Sequence, residues 1–217
     1  MFTKENLLQK LKDRVNNEER NFTHLHLHTS YSLLDGFNDP YESAKRAKEL
    51  GMKAMAVTDH NHVAAAIEFQ DACKKEGIKP LIGAELYWTW DTDILSLPLE
   101  ERKEWAKKRA EKDGVKIPEK IKKKELQKFI EPYEYDTTQY HMLFIAMNQT
   151  GWRNLVKLQS IGADKCTFNG RYLIDNEILK EHNEGLIMTT ACVASPANAI
   201  FIEGKDEEAY KLLHEWH

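Results

Sequence analysis

His24, His26 and His28 alternate across a five-residue stretch, and an extended strand repeats its side-chain direction every two residues, so the three imidazoles would line one face. Buried imidazoles need hydrogen bonds or coordination, which suits this spacing to a metal; a bare H-x-H is more often an exposed edge strand. Further positions take it out of isolation. Asp35 follows in Leu33-Leu34-Asp35-Gly36, where the glycine permits a tight turn that returns a carboxylate over the strand end. Asp59-His60 comes directly after the apolar run Ala54-Met55-Ala56-Val57, and Glu85 after Leu81-Ile82-Gly83-Ala84. Three successive strands therefore deliver imidazole or carboxylate to one rim.

Mixed nitrogen and oxygen donors, with possible sulfur from Cys192, favour zinc, manganese or iron over magnesium or calcium. The donors exceed what one tetrahedral ion takes, which implies two or three divalent transition metal ions. A pair of ions about 3.5–4 Å apart is the usual device for hydrolysing phosphate esters, so phosphoester hydrolysis is the chemistry these residues imply.

The elements that must position these groups follow a strand-then-helix rhythm. Residues 4–20 place Leu7, Leu8, Leu11 and Val15 at helical spacing, an amphipathic leader helix. A short strand through Thr23–His26 precedes a helix opened by Asp39-Pro40, with Glu42 completing a capping box and Gly51 closing it. Strand Ala54–Val57, a helix from about Ala64 to Lys75 ended by Gly77, and strand Pro80–Ala84 complete a βαβαβ series. Two charged helices, parted at Gly114 and Pro118, fill residues 98–130. From Glu100 to Glu131 there are 12 Lys or Arg against 8 Asp or Glu, which fits a solvated helical insertion or, more sharply, a weak contact with DNA backbone. Alternation resumes with strand Met142–Ala146, a helix Trp152–Ile161, a short helix Asp175–Glu181, strand Leu186–Thr189, and helices Pro196–Ile202 and Asp206–Trp216. Repeated βα units imply an α/β fold with a parallel sheet or barrel whose active groups cluster at strand C-terminal ends.

Composition sets the outer bounds. With 217 residues, 41% hydrophobic and 30% charged, the chain is an ordinary globular protein of one or two domains. A net charge of −4 argues against a protein that coats nucleic acid through bulk electrostatics, though a nucleic-acid end remains a possible substrate. No stretch approaches the roughly 18 apolar residues of a membrane span, and the start lacks a signal-peptide pattern, so a cytoplasmic location with no membrane partner is expected. Cys73, Cys166 and Cys192 are odd in number and form no C-x-x-C, which points to reduced thiols.

The run His24-Leu25-His26-Leu27-His28-Thr29-Ser30-Tyr31-Ser32-Leu33-Leu34-Asp35-Gly36 resembles the opening of bacterial DNA polymerase III alpha subunits, their PHP (polymerase and histidinol phosphatase) domain. The similarity continues through Ala56-Val57-Thr58-Asp59-His60, Gly77-Ile78-Lys79-Pro80-Leu81-Ile82-Gly83-Ala84-Glu85, Tyr140-His141-Met142-Leu143, Thr150-Gly151-Trp152-Arg153-Asn154-Leu155 and Glu184-Gly185-Leu186-Ile187, and covers nearly everything from Phe22 onward. The resemblance implies a distorted seven-stranded βα barrel with a metal cluster at its mouth. Its ligand positions fall on His26, His28, Asp35, His60, Glu85, His141 and Cys192, with Asp59 orienting His60 and with Asp35, His26 and His28 the catalytic candidates. His141 opens its strand and so rests on the resemblance alone, and Cys192 equally fits a small buried hydrophobe. His24 is expected to be a hydrogen-bonded core residue, and His62, His182 and His214 solvated surface.

Asn61 stands where the family usually has glycine after Asp-His. The family pattern ends with an Asp-x-His pair on a later strand, which is absent before His214-Glu215-Trp216-His217, so the expectation is an incomplete domain: residues 1–20 a leader, 21–217 the PHP domain, with the barrel ended before its last strand by truncation or a split gene. Three functions stay open. The first is a metal-dependent 3′-to-5′ exonuclease that edits the DNA primer 3′ end within the full polymerase. The second is a non-catalytic scaffold contacting downstream polymerase domains, a proofreading partner or other replisome subunits. The third is a free-standing phosphatase of a small metabolite.

Overall fold

The computed structural model describes residues 22–118 and 120–216; the expected leader helix over residues 4–20 lies outside the described residues. Helix α1 (Pro40–Glu49) starts where the sequence dictates: the Asp39 carboxylate accepts from the backbone N–H of Tyr41 (2.9 Å) and Glu42 (3.0 Å), and proline occupies the first turn. Strand β1 (Ala54–Val57) follows. On one edge it takes the entering segment, with Ala56 N donating to His24 O (2.8 Å) and Thr58 N to Leu27 O (2.9 Å). Helix α2 (Ala66–Glu76) ends on Gly77 in the left-handed conformation, at φ 71°. Strand β2 (Lys79–Trp88) is longer than expected, and its first half pairs in parallel with β1 from Ala54↔Lys79 to Val57↔Ile82.

Between β2 and the next long strand lies the insertion: α3 (Thr92–Ser96), α4 (Leu99–Lys112), α5 (Lys123–Ile130) and a 3-10 turn at Glu131–Tyr133. The two charged helices fall where their sequence pattern put them; α3 was not expected. Both roots of the insertion are tied together. The Tyr135 hydroxyl accepts from Asp91 N (2.5 Å) and donates to Asp91 O (2.9 Å), while the Asp136 carboxylate accepts from Trp90 Nε1 (3.1 Å) and the Tyr140 hydroxyl (2.7 Å). The remaining elements are β3 (Tyr140–Ala146), α6 (Gln149–Lys165), β4 (Thr167–Phe168), β5 (Arg171–Ile174), α7 (Asn176–Glu181), β6 (Leu186–Thr189), α8 (Pro196–Ile202) and α9 (Asp206–Trp216).

The strand order is β4-β5-β2-β3-β6 with β1 also on β2, a mixed α/β fold whose sheet curls into a half-barrel. Six strands are present among the described residues, and the expectation of an all-parallel arrangement is corrected: β3 runs antiparallel to β2 from Gly83↔Ile145 to Trp88↔Tyr140. The reason is the insertion. Its chain turns back at the end of β2 instead of crossing over the sheet, so it closes a long hairpin. β6 then pairs antiparallel with β3, and β5 pairs in parallel with Tyr87 and Trp88. The small β4–β5 hairpin had no sequence expectation behind it.

Alternation along β2 separates core from site. Ala84, Leu86 and Trp88 face outward into a core completed by Tyr140, Met142 and Phe144 of β3 and by Leu155 and Leu158 of α6. A second core joins α1, β1 and α2 through Ala44, Met55, Val57, Phe69 and Cys73. The opposite face of the curl carries a small apolar plug of Ala56, Leu143 and Ile145, and above it sit Glu85 and Tyr87. No helix among the described residues is long and apolar enough to cross a membrane.

Asp175 fastens the root of the insertion to this frame. Its Oδ1 caps α7 by accepting from Ile178 N (3.0 Å), and its Oδ2 accepts from Thr92 N (3.0 Å) and Thr92 Oγ1 (2.6 Å). Burial would raise its carboxyl, but these donors outweigh burial and hold it below the ordinary aspartate range. A depressed folded-state value contributes stability that is present above the unfolded value and lost as pH falls through the folded one. Asp175→Asn should therefore cost about 1–3 kcal/mol at neutral pH, and the gap to wild type should narrow as pH falls below the ordinary aspartate value of about 3.9, as read by denaturant melts across the acid range.

Candidate metal centre

The entering segment is held so that two of its histidines face the curl. Thr58 Oγ1 accepts from Leu27 N (2.9 Å) and donates to Leu27 O (3.2 Å), while Leu27 itself packs toward the α1–α2 core, so His26 and His28 take the opposite face. His24 does not join them. It is exposed, with its ring edge-on to Phe22 at 4.8 Å, and this corrects its expected place as a hydrogen-bonded core residue. His214 is exposed as expected; His62 and His182 are half-buried, and His62 Nε2 meets the Tyr31 carbonyl at 3.0 Å.

Asp35 arrives through a turn closed by Ser32 N to Thr29 O (3.0 Å) and Gly36 N to Ser32 O (2.8 Å). Gly36 is needed here for a reason other than backbone freedom: a Cβ would stand 1.9 Å from the Thr29 carbonyl oxygen. The left-handed residue of the turn is Leu34, at φ 66°. The buried Asp59 carboxylate reads differently from expectation. It accepts from Thr29 N (2.6 Å), Thr29 Oγ1 (2.9 Å) and Ser32 Oγ (3.1 Å), not from the His60 ring it was expected to orient. Its influence on His60 passes through Ser32, whose Oγ accepts from His60 N (2.9 Å) and lies 3.3 Å from His28 Nδ1. Thr29 and Ser32 are thus site-building residues that the sequence reading did not single out, although both lie inside its histidine motif.

His60 pairs with Glu85 in an isolated parallel bridge beyond the end of β1, with Glu85 N donating to Asp59 O (3.1 Å) and Asn61 N to Glu85 O (2.8 Å). Asn61 adopts φ 61°, and asparagine is among the few side chains that tolerate the left-handed region. Its amide, turned so that nitrogen donates to Tyr172 O (3.0 Å) and oxygen accepts from Tyr172 N (2.7 Å), stitches the extension of β1 onto β5. His141 reaches the same rim because β3 is antiparallel. The start of β3 lies beside the end of β2, with His141 opposite Tyr87.

Glu85 is the hub. Its side chain is 2% exposed; Oε2 meets His26 Nε2 in a very short contact and His28 Nε2 at 3.0 Å, while Oε1 meets His141 Nδ1 at 2.5 Å. His26 and His28 face each other through their Nε2 atoms at 2.9 Å. Asp35 Oδ2 lies 3.8 Å from His28 Nδ1 and 3.4 Å from His60 Nε2, and its side chain is 52% exposed. The His28 and His60 rings stack at 4.2 Å, and His60 meets His141 edge-on at 5.3 Å. Donor atoms within 4.8 Å of one another form three overlapping groups, His26–His28–Glu85, His28–Asp35–His60 and His60–Glu85–His141. Six of the seven expected ligands are therefore brought together. Cys192, after β6, sits just outside these groups, with Sγ 4.0 Å from His141 Nδ1 and accepting from Ala194 N at 3.4 Å.

Burial alone would raise the Glu85 carboxyl, but hydrogen bonds with His141, His26 and His28 outweigh it and hold the group well below the usual carboxylate range. Burial lowers His60 from its ordinary value. Burial also opposes the charged form of His28, yet the Glu85 hydrogen bond and the Glu85, Asp35 and Asp59 charges win and raise it. The donor set fits a metal site on two observations. Three imidazole nitrogens converge on one buried carboxylate, and His60 Nδ1 is buried without a hydrogen-bond partner among the described residues, an open nitrogen beside a cluster of ligating groups.

A family profile described as PHP domain matches residues 24–217. The DNA polymerase III subunit alpha of Helicobacter pylori is 36% identical over 184 residues, covering 83% of this chain and 12% of that protein. That of Treponema pallidum is 32% identical over 191 residues, covering 87% and 13%, and that of Mycobacterium tuberculosis 31% over 199 residues, covering 90% and 15%. The chain thus spans only 12–15% of the length of these relatives. Among solved structures, a chain described as a candidate metal-dependent phosphoesterase from Bifidobacterium adolescentis aligns with a TM-score of 0.36 and 17% identity over 65% of this chain and 33% of that one. An amidohydrolase from Chromobacterium violaceum, with bound sulfate and no metal, aligns at 0.35 and 12% over 90% and 54%.

The turn that carries Asp35 has no room for a side chain at Gly36. Gly36→Ala should cost about 1–3 kcal/mol in a denaturant melt and, by displacing Asp35, lower the metal content found by elemental analysis of the purified protein. Retention of both stability and metal would contradict the described turn.

Proposed function

This chain belongs to the PHP domain family, and from that membership and the geometry of its donor groups we propose that it is a metal-dependent phosphodiesterase that trims DNA from the 3′ end as the 3′-to-5′ exonuclease of a DNA polymerase III alpha subunit. The observation that carries the reading is the split of Glu85 between two sets of imidazoles, Oε1 with His141 and Oε2 with His26 and His28, while Asp35 spans His28 and His60. Shared donors of this kind suit two or three ions of zinc, manganese or iron, with His26, His28, Asp35, His60, Glu85 and His141 as ligands and Cys192 as a further donor after a small movement. Divalent ions held there supply Lewis acidity toward phosphoryl oxygens and lower the pKa of water.

The residues divide the work by exposure. Glu85 is sealed from solvent and stays ionised, fixing the imidazoles around it. Asp35 is the carboxylate open to solvent, and so the one able to accept a proton from an attacking water. Water adds to phosphorus, the P–O3′ bond breaks, and the proton passes to the departing 3′ oxygen, releasing a 5′-mononucleotide and a shortened 3′-hydroxyl end. The polymerase body and other replisome subunits would supply the primer end, since the relatives are far longer than this chain.

With manganese present, Asp35→Asn should reduce trimming of a labelled primer end by about 10²–10⁴-fold while circular dichroism remains native. Unchanged trimming rejects the assignment. Elemental analysis should find at least two transition ions per chain, fewer in a His26→Ala, His28→Ala variant. Chelation should lower the melting temperature, since a ligand bound only to the folded state at 100 times its Kd contributes about 2.7 kcal/mol. A melting temperature indifferent to chelation would instead favour a scaffold without chemistry.

A further inference from the structure

Arg171 opens β5, and the pairing of Leu173 with Tyr87 puts Arg171, two residues earlier, on the sheet face that carries Glu85 and Tyr87. Its guanidinium carbon lies 4.4 Å from the centre of the Tyr87 ring. That ring in turn stacks on His60 at 5.7 Å and meets His141 edge-on at 5.0 Å, so one aromatic ring separates the guanidinium from two donors of the metal centre. Across the mouth, Arg171 Nη1 donates to Gln139 Oε1 at 2.9 Å, and Gln139 precedes His141 by two residues. The ring contact and this bond hold the guanidinium in place.

The exposed Arg171 makes no ion pair with a carboxylate among the described residues, whereas Arg46, Lys165, Lys180 and Lys205 all do. A guanidinium has five N–H donors in a rigid fork, and one is spent on Gln139. A cation set beside a cluster built on Glu85 and Asp35, with donors left over, matches an anion that brings its own negative charge to that cluster. We propose that Arg171, held by Tyr87 and Gln139, is a phosphate-binding group at the lip of the metal centre and grips the non-bridging oxygens of a nucleic-acid backbone phosphate. The identity of the ligand as nucleic acid rests on the phosphodiesterase reading; the affinity for phosphate does not.

The test is equilibrium binding by the protein as isolated, titrated with inorganic phosphate and, at several salt concentrations, with single-stranded oligothymidylate. Arg171→Gln should weaken both by about tenfold or more and reduce the slope of log affinity against log salt by about 0.7, the loss of one backbone phosphate contact. Arg171→Lys should keep the slope but not the full affinity, because the charge remains while the fork is lost. Gln139→Ala should weaken binding less, and Arg46→Gln, on the remote surface of α1, should do nothing. Equal phosphate affinity in wild type and Arg171→Gln, or no phosphate binding by wild type, overturns the proposal. In the manganese trimming assay Arg171→Gln should raise KM about tenfold. If phosphate binding depends on Arg171 but wild type trims no DNA, the lip stands and the exonuclease reading falls.

Discussion

A carboxylate buried beneath three imidazoles is the constraint on which this structure turns. Removing an ionised carboxylate from water costs several kcal/mol unless it is compensated, and at Glu85 the compensation comes from the entering segment and β3 through His26, His28 and His141. The backbone at the same residue is gripped on both edges, by the His60 bridge on one and by Leu143 on the other. Side chain and main chain thus converge on one point of β2. Around it the outward residues Ala84, Leu86 and Trp88 fill the core, so the strand that anchors the chemistry is also the strand that anchors the fold.

What could be read from the sequence, and what could not, divides along the range of the forces involved. The pairing of His26 with His28 follows from a period of two, and the positions of Asp35 and His60 follow from turn and strand-end patterns, all local, whereas Glu85, expected just past a strand end, lies inside β2, which runs on to Trp88. Helix α1 is legible because its cap is local too. The direction of β3 is not written in its own residues. Met142–Ala146 is an apolar run that would serve either way, and only the fold-back of the insertion decides it, which is why His141 looked misplaced at a strand start and is not. β5 was missed because four residues with two exposed side chains carry no strong alternation, and Arg171 and the role of Asn61 were missed with it. The bonds of Asp59 go to Thr29 and Ser32, partners some thirty residues earlier that no spacing rule connects.

Backbone strain is distributed in step with the site. Three of the non-glycine residues at positive φ are Leu34, Asn61 and Ala191, and they adjoin Asp35, His60 and Cys192 respectively. Each costs on the order of 1–3 kcal/mol, somewhat less for asparagine, and each turns the chain sharply where a side chain must be delivered to the mouth. Bonds from Asp59, Ser32 and Asn61 hold the first two turns in place, and those of Ala191 N to Thr189 Oγ1 and Asn198 Nδ2 to Cys192 O hold the third.

The hairpin formed by β2 and β3 has a mechanical consequence. Its loop, the charged insertion of α4 and α5, leaves the sheet at Trp88 and returns at Tyr140, and both ends are clamped through Tyr135 and Asp136. The insertion behaves as a tether with two fixed posts, so its length can grow or shrink without altering the register of Glu85 and His141.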